Sequence, residues 1–190
     1  MAMNEKNQKI VEAAFGLFAH YGVAKTSMTE IAAASKVSRQ TLYKAYESKE
    51  DLIFAALLQY AERTKADIES ACAIATDLED RLEILFKFMC AAPFDAMQRF
   101  PHLDEIMEIG DNLSPERVKQ IRGNYLGAIG VVLAPFEKDL TSAGIKLPLL
   151  QNTIKSMFTQ IKRDASDVDQ LKDLFDPLRA MVVFCVQGKP

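Results

Sequence analysis

The apolar residues of this chain recur every three or four positions along nearly its whole length, which is the period of an α-helix buried on one face. Near the start, Ile10, Ala14 and Phe18 follow this spacing, and Gly22 then provides a stop signal. The strict alternation of apolar and polar residues that is typical of β-strands does not occur in the sequence. The pattern therefore predicts an all-α fold.

Residues that favour helix starts divide this pattern into separate helices. Ser27 and Glu30 have the spacing of a capping box, Ser38 is a good cap for a helix that begins at Arg39, and Ser48 is placed to cap a long helix running to about residue 73. Prolines mark further boundaries, because they disfavour helix at the preceding residue but suit the first helical turn. The later segments expected to be helical are 78–90, ended by Pro93; 94–109, interrupted near Pro101; 115–136, starting at Pro115; 148–163; and 168–187, kinked or restarted at Pro177.

Residues 26–51 read as two short helices joined by a tight turn, followed by the start of a third helix. This is a helix-turn-helix, whose usual role is to place its second helix in the major groove of DNA. At about 100° per residue, the polar residues of that helix fall within roughly 140° of one another, whereas Leu42 and Ala45 point to the other side. The outward residues are Arg39, Gln40, Tyr43 and Lys44.

The chemistry of this outward face suits DNA. Arg39 and Gln40 can make bidentate contacts with guanine and adenine edges. Thr41, Tyr43 and Lys44 offer donors for phosphates, and Lys49, in the first turn of the next helix, adds a charge beside free backbone N–H groups. A solvated amphipathic helix in an ordinary bundle would show a similar face, and this alternative stays open on the helix alone.

Charge and composition are consistent with a DNA-binding segment at the N-terminus and an acidic remainder of the chain. The chain has 190 residues and a net charge of −3, with seven basic and five acidic residues among the first 50. Three cysteines, Cys72, Cys90 and Cys185, form no CxxC pair, which favours a reducing cytoplasm without disulfides or a zinc site. The N-terminus has no signal-peptide pattern, and no apolar run reaches the roughly 20 residues that a membrane span needs.

No feature of the sequence supports catalysis. The two histidines are far apart, and neither belongs to a ligand or triad pattern; a glycine-rich phosphate loop is also missing. We therefore expect a protein that is not an enzyme and carries no catalytic residues, metal or cofactor.

Three stretches give the chain a specific resemblance. They are HYG at 20–22, TSMTEIA at 26–32 and VSRQTLYKAYESKEDL at 37–52, and together they resemble the DNA-binding domain of the TetR family of bacterial transcriptional regulators. The resemblance implies phosphate contacts from Thr26 and Ser27, base contacts from Arg39 and Gln40, and backbone contacts from Thr41, Tyr43 and Lys49. In three places the chain departs from the family pattern: Lys36 replaces the usual turn glycine, Ala45 replaces a common aromatic residue, and Tyr46 replaces a phenylalanine.

The resemblance implies two domains: a helix-turn-helix DNA-binding domain at 1–50 and a helical effector-binding and dimerisation domain at 51–190. The last two helices have apolar residues on more than one side, so that more than one surface must be covered. We expect them to form a two-fold homodimer interface, although burial within one subunit is an alternative. The residues predicted at this interface are Ile154, Met157, Phe158, Ile161, Leu178, Val182 and Val186.

Phenylalanine and methionine residues are frequent in the middle of the chain, and such side chains line adaptable pockets as well as ordinary cores. A small-molecule effector bound there would be largely apolar, because no dense Arg/Lys cluster is present to hold a phosphate group. The residues predicted to line the pocket are Phe86, Met89, Cys90, Phe94, Met97, Phe100, His102, Ile106, Met107 and Tyr125, with Asn124 as a further polar contact.

These observations predict a homodimeric, cytoplasmic transcriptional regulator, most simply a repressor that a small effector releases from a near-palindromic operator. Two alternatives remain at this level. One is a DNA-binding protein that needs no ligand; the other is a helical enzyme or interaction scaffold without specific DNA binding.

Overall fold

The computed structural model describes residues 4–187, and this part of the chain is helical throughout, with no β-strand. The helices are α1 (Glu5–Tyr21), α2 (Met28–Ala34), α3 (Arg39–Ala45), α4 (Lys49–Cys72), α5 (Leu78–Phe86), α6 (Ala92–Arg99), α7 (Leu103–Asp111), α8 (Pro115–Leu133), α9 (Glu137–Ser142), α10 (Leu147–Asp164) and α11 (Val168–Gln187). No helix in the described part is both long enough and apolar enough to span a membrane.

Local side-chain caps start the first helices where the sequence predicted them. The Ser27 hydroxyl accepts the N–H of Glu30, and the Glu30 carboxylate accepts the N–H of Ser27, which completes a reciprocal capping box. Ser38 caps α3 by accepting the N–H of Thr41 at 3.1 Å. Each of these bonds satisfies a backbone donor that the helix itself leaves without a partner.

The segment around Pro93 differs from the prediction. Instead of ending the helix, this proline lies in the first turn of α6, directly after a π-helical turn, Lys87–Ala91, that continues α5. Within the wider turn the N–H of Ala92 bonds to the carbonyl of Lys87, five residues earlier. A proline has no N–H and is tolerated in a first helical turn, so the chain remains helical through it.

Pro177 also fails to divide its helix, since α11 continues from Val168 to Gln187. A short 3₁₀ turn, Ala134–Phe136, follows α8, and α9 comes after it as a separate helix that the sequence pattern did not predict.

The chain packs as two compact units, and the first contains the helix-turn-helix. It consists of the chain up to Tyr60 together with Ala96–Ile121. Its core is formed by apolar residues from α1 to α4 and from α7, including Phe18, Ile31 and Leu42, each at most 1% exposed. The units defined by packing thus divide the chain differently from the functional boundary expected near residue 50, which remains a prediction.

The second unit consists of Ala61–Asp95 and the chain from Arg122 onward. Its core joins residues of α4, α5, the π-helical turn and α8 to α11. Arg81 stabilises this unit by donating to three carbonyls: that of Cys72, the last residue of α4, that of Ala75 in the following turn, and that of Val131 in α8. The stacked rings of Phe86 and Phe175, 4.4 Å apart, pack α5 against α11.

Candidate nucleic-acid interface

The helix-turn-helix is held by one anchor in each helix and by the turn between them. Ile31 in α2 and Leu42 in α3 are both fully buried. Between them the N–H of Lys36 bonds to the carbonyl of Ala33, and the N–H of Val37 bonds to the carbonyl of Ala32. This pair of bonds is a Schellman motif, in which the residue at the position of Lys36 adopts a left-handed conformation.

Lys36 does adopt it, with φ of 56°, and it is the single residue other than glycine in the described part of the chain with a positive φ. The lysine that departs from the family pattern therefore keeps the backbone geometry for which a glycine is usual, at a steric cost from its Cβ.

The burial of Leu42 leaves the opposite face of α3 exposed. Arg39, Gln40, Tyr43 and Lys44 all lie on it, and within residues 4–187 none of their side chains has a hydrogen-bonding or ionic partner. Long polar side chains without partners are free to contact a ligand surface. The outward face predicted from the sequence is therefore the exposed face in the structure, but Ala45, which was predicted to lie on the inner side with Leu42, is exposed as well. The DNA contacts themselves stay a prediction.

Ser27 and Thr26, the two residues before α2 that were predicted to contact phosphate, differ in exposure and in hydrogen bonding. Ser27 is exposed, and its hydroxyl lies 2.7 Å from the Glu30 carboxylate. The two bonds from the N–H and hydroxyl of Ser27 hold the pKa of Glu30 below its usual value. Thr26, by contrast, is only 3% exposed, and its hydroxyl donates to the carbonyl of Gly22 at 2.9 Å. Because the hydroxyl hydrogen of Thr26 is already used in this bond, it is not available for donation to a phosphate oxygen.

Thr41 and Lys49 are both half-buried. The Thr41 hydroxyl shares a 2.9 Å hydrogen bond with that of Ser38, at the start of α3. The Lys49 ammonium donates to the carbonyl of Val23 at 2.6 Å, which leaves two further donors and its charge for a phosphate.

Glu105, which no sequence pattern singled out, holds the turn before α2. Its carboxylate accepts the N–H groups of Val23 and Ala24 at 3.0 and 3.1 Å. Gly22 begins this turn with φ of 87°, and a Cβ there would lie 3.0 Å from the Glu105 carboxylate. The two hydrogen bonds of Glu105 join residues 82 and 81 positions apart, and no local sequence signal reports such a distant pair.

An open groove beside the helix-turn-helix was also not predicted. It runs between the start of α1 and the turn after α2, and its lining includes Lys6, Lys9 and Lys36 together with Glu5 and Glu12. Lys9 forms a 2.8 Å ion pair with Glu5, so the groove has mixed charge.

The residues predicted to line an effector pocket are divided between the two compact units. Phe86, Met89, Cys90 and Phe94 are buried in the second unit, and Tyr125 packs against the same core. A second group belongs to the first unit, which takes up the chain again from Ala96. Phe100 packs against the helix-turn-helix core, Ile106 is part of it, and the backbone N–H of His102 donates to the carbonyl of Ala19. Met97 and Met107 are more than 40% exposed.

The predicted dimer residues mostly face the core of their own subunit. Ile154, Phe158, Ile161, Leu178 and Val182 are each at most 6% exposed, and Met157 and Val186 pack partly against the same core. The prediction selected the wrong faces of α10 and α11, because both helices carry apolar residues on several sides. The exposed apolar face of α11 is a different stripe, formed by Leu174, Pro177, Ala180, Met181 and Phe184.

The described residues contain no group of three histidine, cysteine or carboxylate side chains arranged to hold a metal ion. Cys90 is fully buried, and burial raises the pKa of its thiol to about 11, so the sulfur is protonated at neutral pH and a poor nucleophile. The fold and the exposed face of α3 together define the class: an all-helical protein with an N-terminal helix-turn-helix.

Comparisons with known proteins make this class more specific. Residues 10–56 match the family model described as bacterial regulatory proteins, tetR family. Over 62 residues, or 33% of this chain, the sequence is 40% identical to an uncharacterized HTH-type transcriptional regulator, YuxN, of Bacillus subtilis (strain 168). The match spans about a fifth (21%) of the length of that relative.

Two solved structures are similar along most of the chain. The fatty acid degradation regulator FadR from Bacillus halodurans has 21% identity and a TM-score of 0.67, over 98% of this chain and 97% of that one. FadR of Thermus thermophilus, a TetR family transcriptional repressor in complex with lauroyl-CoA, has 24% identity and a TM-score of 0.60, over 93% of each chain. The predicted all-α fold class is confirmed, and the predicted resemblance to the TetR family is confirmed for residues 10–56, which match the family model.

Proposed function

We propose that this protein is a DNA-binding transcriptional regulator that acts in the cytoplasm and uses α3 as its recognition helix. The observation that carries the proposal is the exposed face of α3, where Arg39, Gln40, Tyr43 and Lys44 have no partner within the described chain. Arg39 and Gln40 read base edges, while Tyr43, Lys44 and Lys49 contact the phosphate backbone. Ser27 and Thr41, at the starts of α2 and α3, contribute further backbone contacts.

Selection of duplexes from a random pool by the purified full-length chain tests this proposal. We expect recovery of a near-palindromic sequence and an affinity that falls steeply with salt, because phosphate contacts release counterions. Arg39→Ala or Gln40→Ala is expected to weaken binding to the selected sequence by about 1–3 kcal/mol and to relax the base preference at one position in each half-site.

Lys49→Ala is the matched comparison, since its loss affects all sequences alike and flattens the salt dependence. All variants need to unfold at the same temperature as the parent, which circular dichroism checks. Unchanged affinity of Arg39→Ala, Gln40→Ala and Tyr43→Ala for the selected DNA would show that α3 does not contact it.

We propose that the regulator is a two-fold homodimer, formed through the exposed apolar stripe of α11 rather than the buried faces first predicted. Leu174, Met181 and Phe184 are 37%, 51% and 53% exposed in the single chain. Large apolar side chains aligned on one helix face are typical of protein–protein contacts. In a dimer the two recognition helices engage two half-sites together, which raises the affinity for a palindromic operator.

We further propose that the protein is a repressor and that a largely apolar small molecule releases it from DNA. The core of the second unit is built from aromatic and aliphatic side chains, and the similar solved structure from Thermus thermophilus is that of a repressor in complex with lauroyl-CoA. Release requires the effector to bind the form that does not fit DNA more tightly than the form that does. Loss of operator binding when such a ligand is added supports this role, whereas a ligand that leaves binding unchanged favours a DNA-binding protein that needs no effector.

The remaining alternative is a helical enzyme or interaction scaffold. It predicts no sequence preference in the duplex selection, so that one experiment separates it from the regulator.

A further inference from the structure

A half-buried cation lies inside the second unit. Lys162, on α10, directs its ammonium to the carbonyl of Met89 at 2.8 Å, within the π-helical turn Lys87–Ala91. In a regular helix that carbonyl would accept the N–H of residue 93, but residue 93 is a proline and has no N–H. Lys162 thus bonds a carbonyl that the proline leaves without its usual donor.

One carbonyl does not balance an ammonium group, which has three donors and a full charge. Among residues 4–187, no carboxylate forms an ion pair with Lys162. The nearby Cys90 thiol is protonated at neutral pH, and Lys155 is a second cation close enough to disfavour the charge on Lys162. Burial is the main cause that lowers the pKa of the Lys162 ammonium. The site therefore holds positive charge without a counterion, an arrangement that is costly away from water.

Apolar side chains lie beside the carbonyl that Lys162 contacts. Met89 and Cys90 are buried beside it in the π-helical turn, and Phe86, Phe94 and Phe158 belong to the same core. A π-helical turn within an α-helix is frequently found at functional sites. A ligand that suits both features has an anionic head for Lys162 and an alkyl body for the aromatic and methionine side chains.

We propose that Lys162 is the counterion for the carboxylate of an amphipathic effector whose alkyl chain enters the core of the second unit. This inference rests on the proposed effector function and makes it more specific, since it assigns a charged head to a ligand otherwise described only as largely apolar. The Lys162 ammonium donates to the carboxylate with the hydrogens that Met89 leaves free, and the ion pair forms in a poorly solvated site where it is strong.

Dodecanoate and 1-dodecanol, which share an alkyl chain and differ in the charge of the head group, test the proposal by calorimetric titration of the full-length protein below their aggregation concentrations. We expect the parent to bind dodecanoate at least about tenfold more tightly than dodecanol. Lys162→Gln, which keeps a donor for the Met89 carbonyl but removes the charge, is expected to lose this preference. Lys162→Arg, which keeps the charge, is expected to retain most of it.

The outcomes are distinct. Equal affinity of the parent for the two ligands, or a preference that persists in Lys162→Gln, overturns the role of Lys162 and leaves an apolar effector in place. Failure of both ligands to bind the parent counts against the apolar effector itself, and the assignment of Lys162 falls with it. Equal affinity in the parent overturns the role of Lys162 whether or not a variant folds, and Lys162→Met is a second uncharged variant for the case in which Lys162→Gln does not fold.

Discussion

At the scale of single residues, the sequence shows which hydrogen-bonding groups a side chain carries. The structure shows which of these groups are already bonded within the protein. The sequence placed Leu42 inward and Arg39 outward correctly, because helical periodicity alone decides which face a residue occupies. It could not show that the Thr26 hydroxyl is already bonded to the Gly22 carbonyl. The bond depends on how the chain turns between α1 and α2, and side chains such as threonine bond to backbone groups in many local arrangements.

Lys36 provides a prediction at this scale. Because its φ of 56° is unfavourable for a residue with a Cβ, Lys36→Gly is expected to raise the free energy of unfolding by about 0.5–1 kcal/mol. Chemical denaturation followed by circular dichroism measures the change. Lys36→Ala is the matched control, because it removes the charge and keeps the Cβ. Equal stability of the glycine and alanine variants would show that the backbone at this position is not strained.

At the scale of helices, the starts of α2 and α3 were predictable because caps act between residues three positions apart. The π-helical turn before Pro93 and the separate helix α9 were not predictable in the same way. Both interrupt a continuous apolar pattern, and the sequence does not show how neighbouring helices stabilise an irregular turn. The sequence predicted a helix end at Pro93 and a kink or restart at Pro177, but Pro93 lies within the first turn of α6 and α11 continues through Pro177.

The contact between α7 and the turn before α2 gives a prediction for these elements. Glu105→Ala removes two hydrogen bonds to a charged acceptor and is expected to destabilise the first unit by about 1–3 kcal/mol. The amide hydrogens of Val23 and Ala24 are expected to exchange faster with solvent, which NMR measures directly. Glu108→Ala, at an exposed position on the same helix, is the control. Unaltered protection of both amides in Glu105→Ala would mean that the turn is held without this carboxylate.

At the scale of the whole molecule, α10 and α11 illustrate a limit of sequence patterns. Their apolar residues indicated that more than one side is covered, but not which side faces the same subunit. Val182 lies on the inner face at 2% exposure, whereas Met181, one residue earlier, is 51% exposed. Only the packing of α11 against the core of the second unit separates the two faces.

The assembly prediction follows from this distinction. Met181→Glu together with Phe184→Glu places charge on the exposed stripe and is expected to give a folded monomer with weakened operator binding, because the two half-sites are then bound separately. Light scattering reports the mass, and circular dichroism reports the fold. Ser70→Glu adds a charge at an exposed position on α4 and serves as the control. A variant that remains a dimer would place the interface elsewhere.

The composition of the first unit has a consequence for engineering. Leu103 and Ile106, from α7, are buried in the same core as Ile10 and Phe18, although more than 80 residues separate the two pairs along the chain. A fragment that stopped at Tyr60 would expose the apolar surface that α7 covers. Transplanting the DNA-binding head onto another regulator by one crossover near residue 50 would therefore break this core, and a functional chimera would have to carry residues 96–121 as well. Under the proposed function, substitutions confined to the exposed side chains of α3 are expected to change the DNA sequence preference without disturbing that shared core.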